Sequence, residues 1–211
     1  MRDSILVFDF DGTIADTHRY LCDISNRICR EFKYHAIRPQ DAIYLKDKSS
    51  HEVIQYLKVP FMKIPAIIAR GKQEYSKEIH SIQLSDGLKD VLWELKNHGV
   101  RMGILSSNSF ENVMQVIKNH SLDVFEFIHT TSRVWGKNIS LAGLIQQKNL
   151  EKGKVVYIGD ELRDIVAARK LGVKVAAVAW GYNSPESLSK QRPDFLLQRP
   201  AELLTFMSTN Y

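Results

Sequence analysis

Ser4-Ile5-Leu6-Val7-Phe8-Asp9-Phe10-Asp11-Gly12-Thr13 is the stretch on which the reading turns. A short, uninterrupted apolar run is what a strand buried on both faces requires, and such strands belong to the middle of parallel sheets. Ligands of open α/β sheets lie beyond the carboxyl ends of these strands. The run ends in two acids separated by one apolar residue. On extended backbone, residues i and i+2 point the same way, so Asp9 and Asp11 address one site while Phe10 turns back into the protein. Gly12 permits a tight turn, and Thr13 offers a hydroxyl. Beside a divalent cation, an aspartate can attack phosphorus and form an aspartyl-phosphate that water then hydrolyses. The second acid can protonate the leaving oxygen and later deprotonate the water.

Outward from this stretch the texture changes twice. From Ala15 to about Ile82 the pattern is helical, with apolar positions at Tyr20, Ile24, Ile28 and Phe32, then at Val53, Ile54 and Leu57. Pro39, Pro60 and Pro65 punctuate it, and Ser49-Ser50-His51-Glu52 reads as a helix start. After Asp86-Gly87, helices and strands alternate. The predicted strands are Val100–Leu105, Phe125–His129, Val155–Ile158 and Val173–Val178. The predicted helices are Leu88–Asn97, Phe110–His120, Ser140–Gln147 and Arg163–Leu171. Alternation of this kind predicts an α/β fold, a Rossmann-like doubly wound parallel sheet, with the helical segment inserted after the first strand. The expected division is a core of residues 1–14 and 85–211 and a helical cap of residues 15–84.

Three more strand ends carry chemistry. Ser106-Ser107-Asn108-Ser109 is a hydroxyl-rich tip able to donate to phosphate oxygens, and Ser109 doubles as a cap for the following helix. Lys137, after Gly136, can stabilise charge as it spreads over a transferring phosphoryl group. Gly159-Asp160-Glu161-Leu162-Arg163-Asp164 closes the fourth strand. Asp160 there can complete an oxygen set for Mg2+ with Asp9 and the backbone carbonyl of Asp11. Asp164, one turn on, is better placed to hold Lys137 or a metal-bound water than to ligate directly.

Bulk properties are ordinary for a soluble globular protein. The chain has 211 residues, 44% hydrophobic and 25% charged, with a net charge of +5. Its basic residues are dispersed rather than clustered, which fits a small anionic substrate and not a nucleic acid. The two cysteines, Cys22 and Cys29, are two helical turns apart, too far for a disulfide and expected as reduced thiols. No long apolar run suggests a membrane span, and a cytoplasmic location is expected.

Together these motifs resemble the haloacid dehalogenase-like hydrolase superfamily, particularly its phosphoglycolate phosphatase-like branch with a helical cap of the C1 type. The resemblance implies Asp9 as nucleophile, Asp11 as general acid and base, and Thr13 as their support or a substrate contact. It implies Ser107, or else Ser106, and Asn108 as phosphate binders, and Lys137 as the neutralising cation. Mg2+ would be held by Asp9, Asp11 and Asp160, with Asp164 orienting its neighbours. Lys46 in the cap is the expected substrate contact, while His18, Arg19, Trp180 and Tyr182 are further candidates near the site. The chain departs from many branch members in carrying Asn138-Ile139, not proline, after the lysine. The implied activity is Mg2+-dependent hydrolysis of a small phosphomonoester such as phosphoglycolate. Pyrophosphatase or phosphosugar mutase chemistry, and a non-catalytic phosphate-sensing module, are the alternatives, in a monomer or homodimer.

Overall fold

The computed structural model describes residues 4–131 and 136–209, the last four of these by their backbone. Six strands form one sheet: β1 Ile5–Phe8, β2 Arg101–Ser106, β3 Phe127–Thr130, β4 Val155–Gly159, β5 Lys174–Val178 and β6 Phe195–Leu197. The order is β3-β2-β1-β4-β5-β6 and every pairing is parallel. β1 is central, hydrogen-bonded to β2 and β4, and all four of its residues are buried. Its pleat sends Leu6 and Phe8 into one apolar layer and Ile5 and Val7 into the other.

Helices cover both faces. Leu88–Asn97 (α5) and Phe110–Asn119 (α6) pack through Leu88, Leu92, Val113 and Val116 on the Phe8 side, where Leu203 of the last helix, Glu202–Thr209 (α10), joins them. Lys137–Gln147 (α7), Leu162–Leu171 (α8) and Pro185–Lys190 (α9) cover the Val7 side through Leu141, Leu144, Ile165 and Leu188. This is the expected doubly wound architecture. Two differences from the predicted elements have local causes. β6 is only three residues long, too short to carry a periodic signal. α7 begins at Lys137, not Ser140, because Gly136 takes a left-handed conformation (φ 83°) and turns the chain straight into the helix.

Between β1 and α5 lie four helices, α1 His18–Phe32, α2 Asp41–Lys46, α3 Ser50–Tyr56 and α4 Ile64–Glu78, the last preceded by a 3₁₀ turn at Phe61–Lys63. The expected helix start at Ser49 is a reciprocal cap: its hydroxyl accepts from the Glu52 N–H while Glu52 accepts from the Ser49 N–H. Pro65 sits in the first turn of α4, where its missing N–H costs nothing. Ile28, Cys29, Tyr34 and Leu57 form a small core of their own within this helical layer. Cys22 and Cys29 are both free thiols. The chain leaves and re-enters the sheet through adjacent segments, since Asp16 donates to Gln83 and Ser85 donates to Ile14 at 2.9 Å each. Among the described residues no helix is long and apolar enough to cross a membrane.

Candidate active site

The strand order reverses at β1 and β4, which places the C-terminal ends of these strands, and so Asp9 and Asp160, beside one crevice. Phe10 is fully buried in the apolar layer, leaving the flanking acids on the crevice side. Asp9 accepts from the Phe10 N–H (2.8 Å) through Oδ1 and from Lys137 Nζ (2.5 Å) through Oδ2. The same ammonium pairs with Asp164 at the start of α8 and lies 5.4 Å from the centre of the Tyr157 ring. Lys137 thus bridges the tip of β1 and the first turn of α8.

Asp160 is held from three directions. Thr13 Oγ1 donates to its Oδ1 and the Tyr182 N–H to its Oδ2, each at 2.8 Å. Trp180 fixes that loop by donating from Nε1 to the Thr13 carbonyl (3.0 Å). Gly12 (φ 82°) and Gly181 let both loops close on the carboxylate, since a Cβ at either position would run into Asp160. Thr13 is fully buried with its hydroxyl committed to Asp160, so its place is the support of that carboxylate and not the cavity wall expected of a substrate contact.

Asp11 faces the cap. Its carboxylate accepts from Tyr75 Oη of α4 (2.9 Å) and from Asn108 Nδ2 (3.3 Å). The tip of β2 distinguishes its serines: Ser106 is buried and its hydroxyl accepts from the Asn108 N–H (3.0 Å), whereas Ser107 lines the crevice. Ser109 caps α6 by accepting from the Asn112 N–H. The Ser107 carbonyl accepts from Lys72 Nζ of α4 (3.0 Å).

The electrostatics follow from burial. Desolvation pushes the Asp9 carboxyl up to about 7, against the pull of Lys137 in the other direction. Asp160 is held well above the carboxylate range by burial and then by Glu161, Asp9 and Asp164. Burial also raises Asp11, while hydrogen bonds from Tyr75 and Asn108 lower it. Burial alone would depress the Lys137 ammonium, but Asp164 and Asp9 together hold it well above its usual range. Buried carboxylates here lack enough positive charge to be comfortable. One oxygen from each of Asp9, Asp160 and Asp164 lies within 4.8 Å of the others. An all-oxygen anionic set of this kind can hold a hard divalent cation. Because Asp9 and Asp160 line the cavity and Asp164 does not, Asp9 and Asp160 are the two side chains best placed to do so.

Asp9, Asp11 and Asp160 floor a cavity of about 440 Å³ that rises between the sheet and the helices. His18 lines it and packs its ring at a 59° tilt against Tyr182, 5.2 Å between centres, while Arg19 faces a separate depression beside Asp23 and Glu78. Lys46 does not line it: its ammonium reaches the Gly181 carbonyl at 3.5 Å, outside the wall. Tyr75 and Lys72, which do, escape a reading of the sequence, because nothing local separates them from other residues of an amphipathic helix.

The family model for haloacid dehalogenase-like hydrolases matches residues 6–178. The chain belongs to this family. Through a relative 30% identical over nearly its whole length it falls within the phosphoglycolate phosphatase-like branch of these hydrolases. A phosphoglycolate phosphatase of Synechococcus elongatus is 30% identical over 94% of both chains. A pyrophosphatase of Bacillus thuringiensis is 23% identical, covering 99% of this chain and 98% of its own. Among solved structures, a haloacid dehalogenase-like family protein of Streptococcus pneumoniae shares the fold with a TM-score of 0.82 at 20% identity, over 98% of this chain and 99% of that one.

Proposed function

We propose that this haloacid dehalogenase-like hydrolase is a Mg2+-dependent phosphatase that cleaves a phosphomonoester through an aspartyl-phosphate on Asp9. The observation that carries this reading is the Lys137 ammonium set between Asp9 and Asp164 with Asp11 in the same cavity. A carboxylate oxygen of Asp9 bonds to phosphorus as the bond from phosphorus to the leaving oxygen breaks. Asp11, in the same cavity as Asp9, delivers a proton to the leaving oxygen. In the second half water attacks the phosphorus, Asp11 takes the proton back, and Asp9 is released.

Lys137 neutralises charge on the phosphoryl group without leaving its carboxylates, so little reorganisation accompanies the reaction. Ser107 and Asn108, which line the cavity beside Asp11, are the groups assigned to the phosphate oxygens. Mg2+, held by Asp9, Asp160 and the Asp11 carbonyl, would act as the Lewis acid that draws charge off the phosphoryl oxygens. Thr13, Trp180 and Tyr182 keep Asp160 in place.

The test is phosphate release from phosphoglycolate, pyrophosphate, sugar phosphates and simple alkyl phosphates, with Mg2+ and with EDTA, alongside Asp9→Asn. Metal-dependent release that disappears in Asp9→Asn is expected. Turnover by Asp9→Asn at the parent rate would remove Asp9 as nucleophile.

A further inference from the structure

Away from the carboxylates the cavity changes character. On α4 its wall is Ile64, Ile67, Ile68, Gly71, Lys72 and Tyr75, a stripe at the i, i+3, i+4, i+7, i+8, i+11 positions of one helix face. From Tyr75, bonded to Asp11, to Ile64 this stripe runs roughly 16 Å along the helix axis. α1 forms the facing wall through Leu21 and Ser25, and Val53, Ile54 and Leu57 of the α3 region close the side. The polar members of the stripe, Lys72 and Tyr75, are at the carboxylate end, and its far half is aliphatic.

The polar groups of that far half satisfy each other. Ser25 Oγ and Tyr34 Oη lie 3.2 Å apart, and the Tyr34 hydroxyl donates to the Ser25 carbonyl at 2.8 Å. The lysine and arginine of the wall, Lys72 and Arg163, are engaged at the phosphate end by the Ser107 carbonyl and by Glu161. A leaving group whose carboxylate or hydroxyls reached that far half would meet aliphatic walls without partners for its polar atoms, which is unfavourable. The volume of about 440 Å³ also lies in the range of sites that enclose a whole small molecule.

We propose that the leaving group is apolar: the substrate is the phosphomonoester of an alcohol with a linear alkyl chain, the phosphate at Asp9 and the chain lying between α1 and α4. This rests on the phosphatase reading and names its substrate class. Gly71 marks the step from the polar to the aliphatic half, and a Cβ added there meets no atom within 4 Å, so the space beside it is open. A larger side chain at this helical position would project into the channel without displacing neighbours at its Cβ.

The experiment is kcat/KM, with Mg2+, for ethyl, butyl, hexyl and octyl phosphate and for phosphoglycolate, using the full chain and its Gly71→Leu variant. In the unaltered protein kcat/KM is expected to rise about threefold per added methylene. In Gly71→Leu the octyl-to-ethyl ratio is expected to fall at least tenfold. A flat or falling series, or phosphoglycolate outrunning octyl phosphate, overturns the apolar assignment while phosphate release from the short esters leaves the phosphatase reading intact. Release from none of the compounds overturns both. The series in the unaltered protein decides the question even if Gly71→Leu does not fold.

Discussion

Tyr75 reaches from the helical layer to a carboxylate at the tip of the central strand, and its hydroxyl opposes what burial does to Asp11. Removing that hydroxyl takes away a hydrogen bond to the charged form, so the Asp11 carboxyl moves further up. If protonated Asp11 is the acid that serves the leaving oxygen, it then keeps its proton to higher pH. Tyr75→Phe is expected to shift the alkaline limb of the kcat/KM profile upward, with the aromatic ring still filling its buried site. A limb that stays in place would show that Asp11 does not govern it. Lys137 illustrates the same scale: in sequence an ordinary lysine after a glycine, in the fold the cation shared by two buried carboxylates.

Helix α3 is held at its start by the Ser49 and Glu52 exchange and supplies Val53 and Ile54 to the cavity wall. Ser49→Ala removes the hydroxyl acceptor for the Glu52 N–H and is expected to destabilise the protein by about 1 kcal/mol. Urea titration at fixed pH reads this as a lower midpoint with an unchanged slope, whereas an unchanged midpoint would show that the cap contributes nothing. At this scale the local signals were legible. The serine and glutamate spacing marked the helix, and the apolar runs marked β1, β2 and β4. The short β6 and the early start of α7 were not, because three residues carry no period and a left-handed glycine turn hides a helix start.

Over the whole molecule, the winding of the sheet gathers Asp9, Asp160 and Asp164 from segments some 150 residues apart into one buried, underneutralised cluster. A cation that binds the folded chain and not the unfolded one stabilises it by mass action, by about 2.7 kcal/mol at a hundred times its dissociation constant. Mg2+ is therefore expected to raise the melting temperature in a concentration-dependent way, and Asp160→Asn to abolish most of that rise. An equal rise in both proteins would place the cation elsewhere. The helical layer joins the sheet through the paired segments at residues 14–16 and 83–85, and is tied to it again where Asn183 Nδ2 donates to the Lys46 carbonyl and Tyr75 to Asp11.

The acid pair of Asp9 and Asp11, the serine tip and the Asp160 to Asp164 turn were determined by sequence, because each is a strand-end pattern whose geometry follows from two or three adjacent residues. The parallel α/β class was determined in the same way, by periodicity. Strand order, the choice of Ser107 over Ser106 as the serine lining the crevice, and the commitment of Thr13 to Asp160 were decided only by tertiary structure. So were Tyr75 and Lys72 at the carboxylates and the aliphatic channel behind them. These depend on which helix faces lie opposite one another. An amphipathic stripe announces that a face is covered, and only packing reveals whether the cover is another side chain or an open cavity.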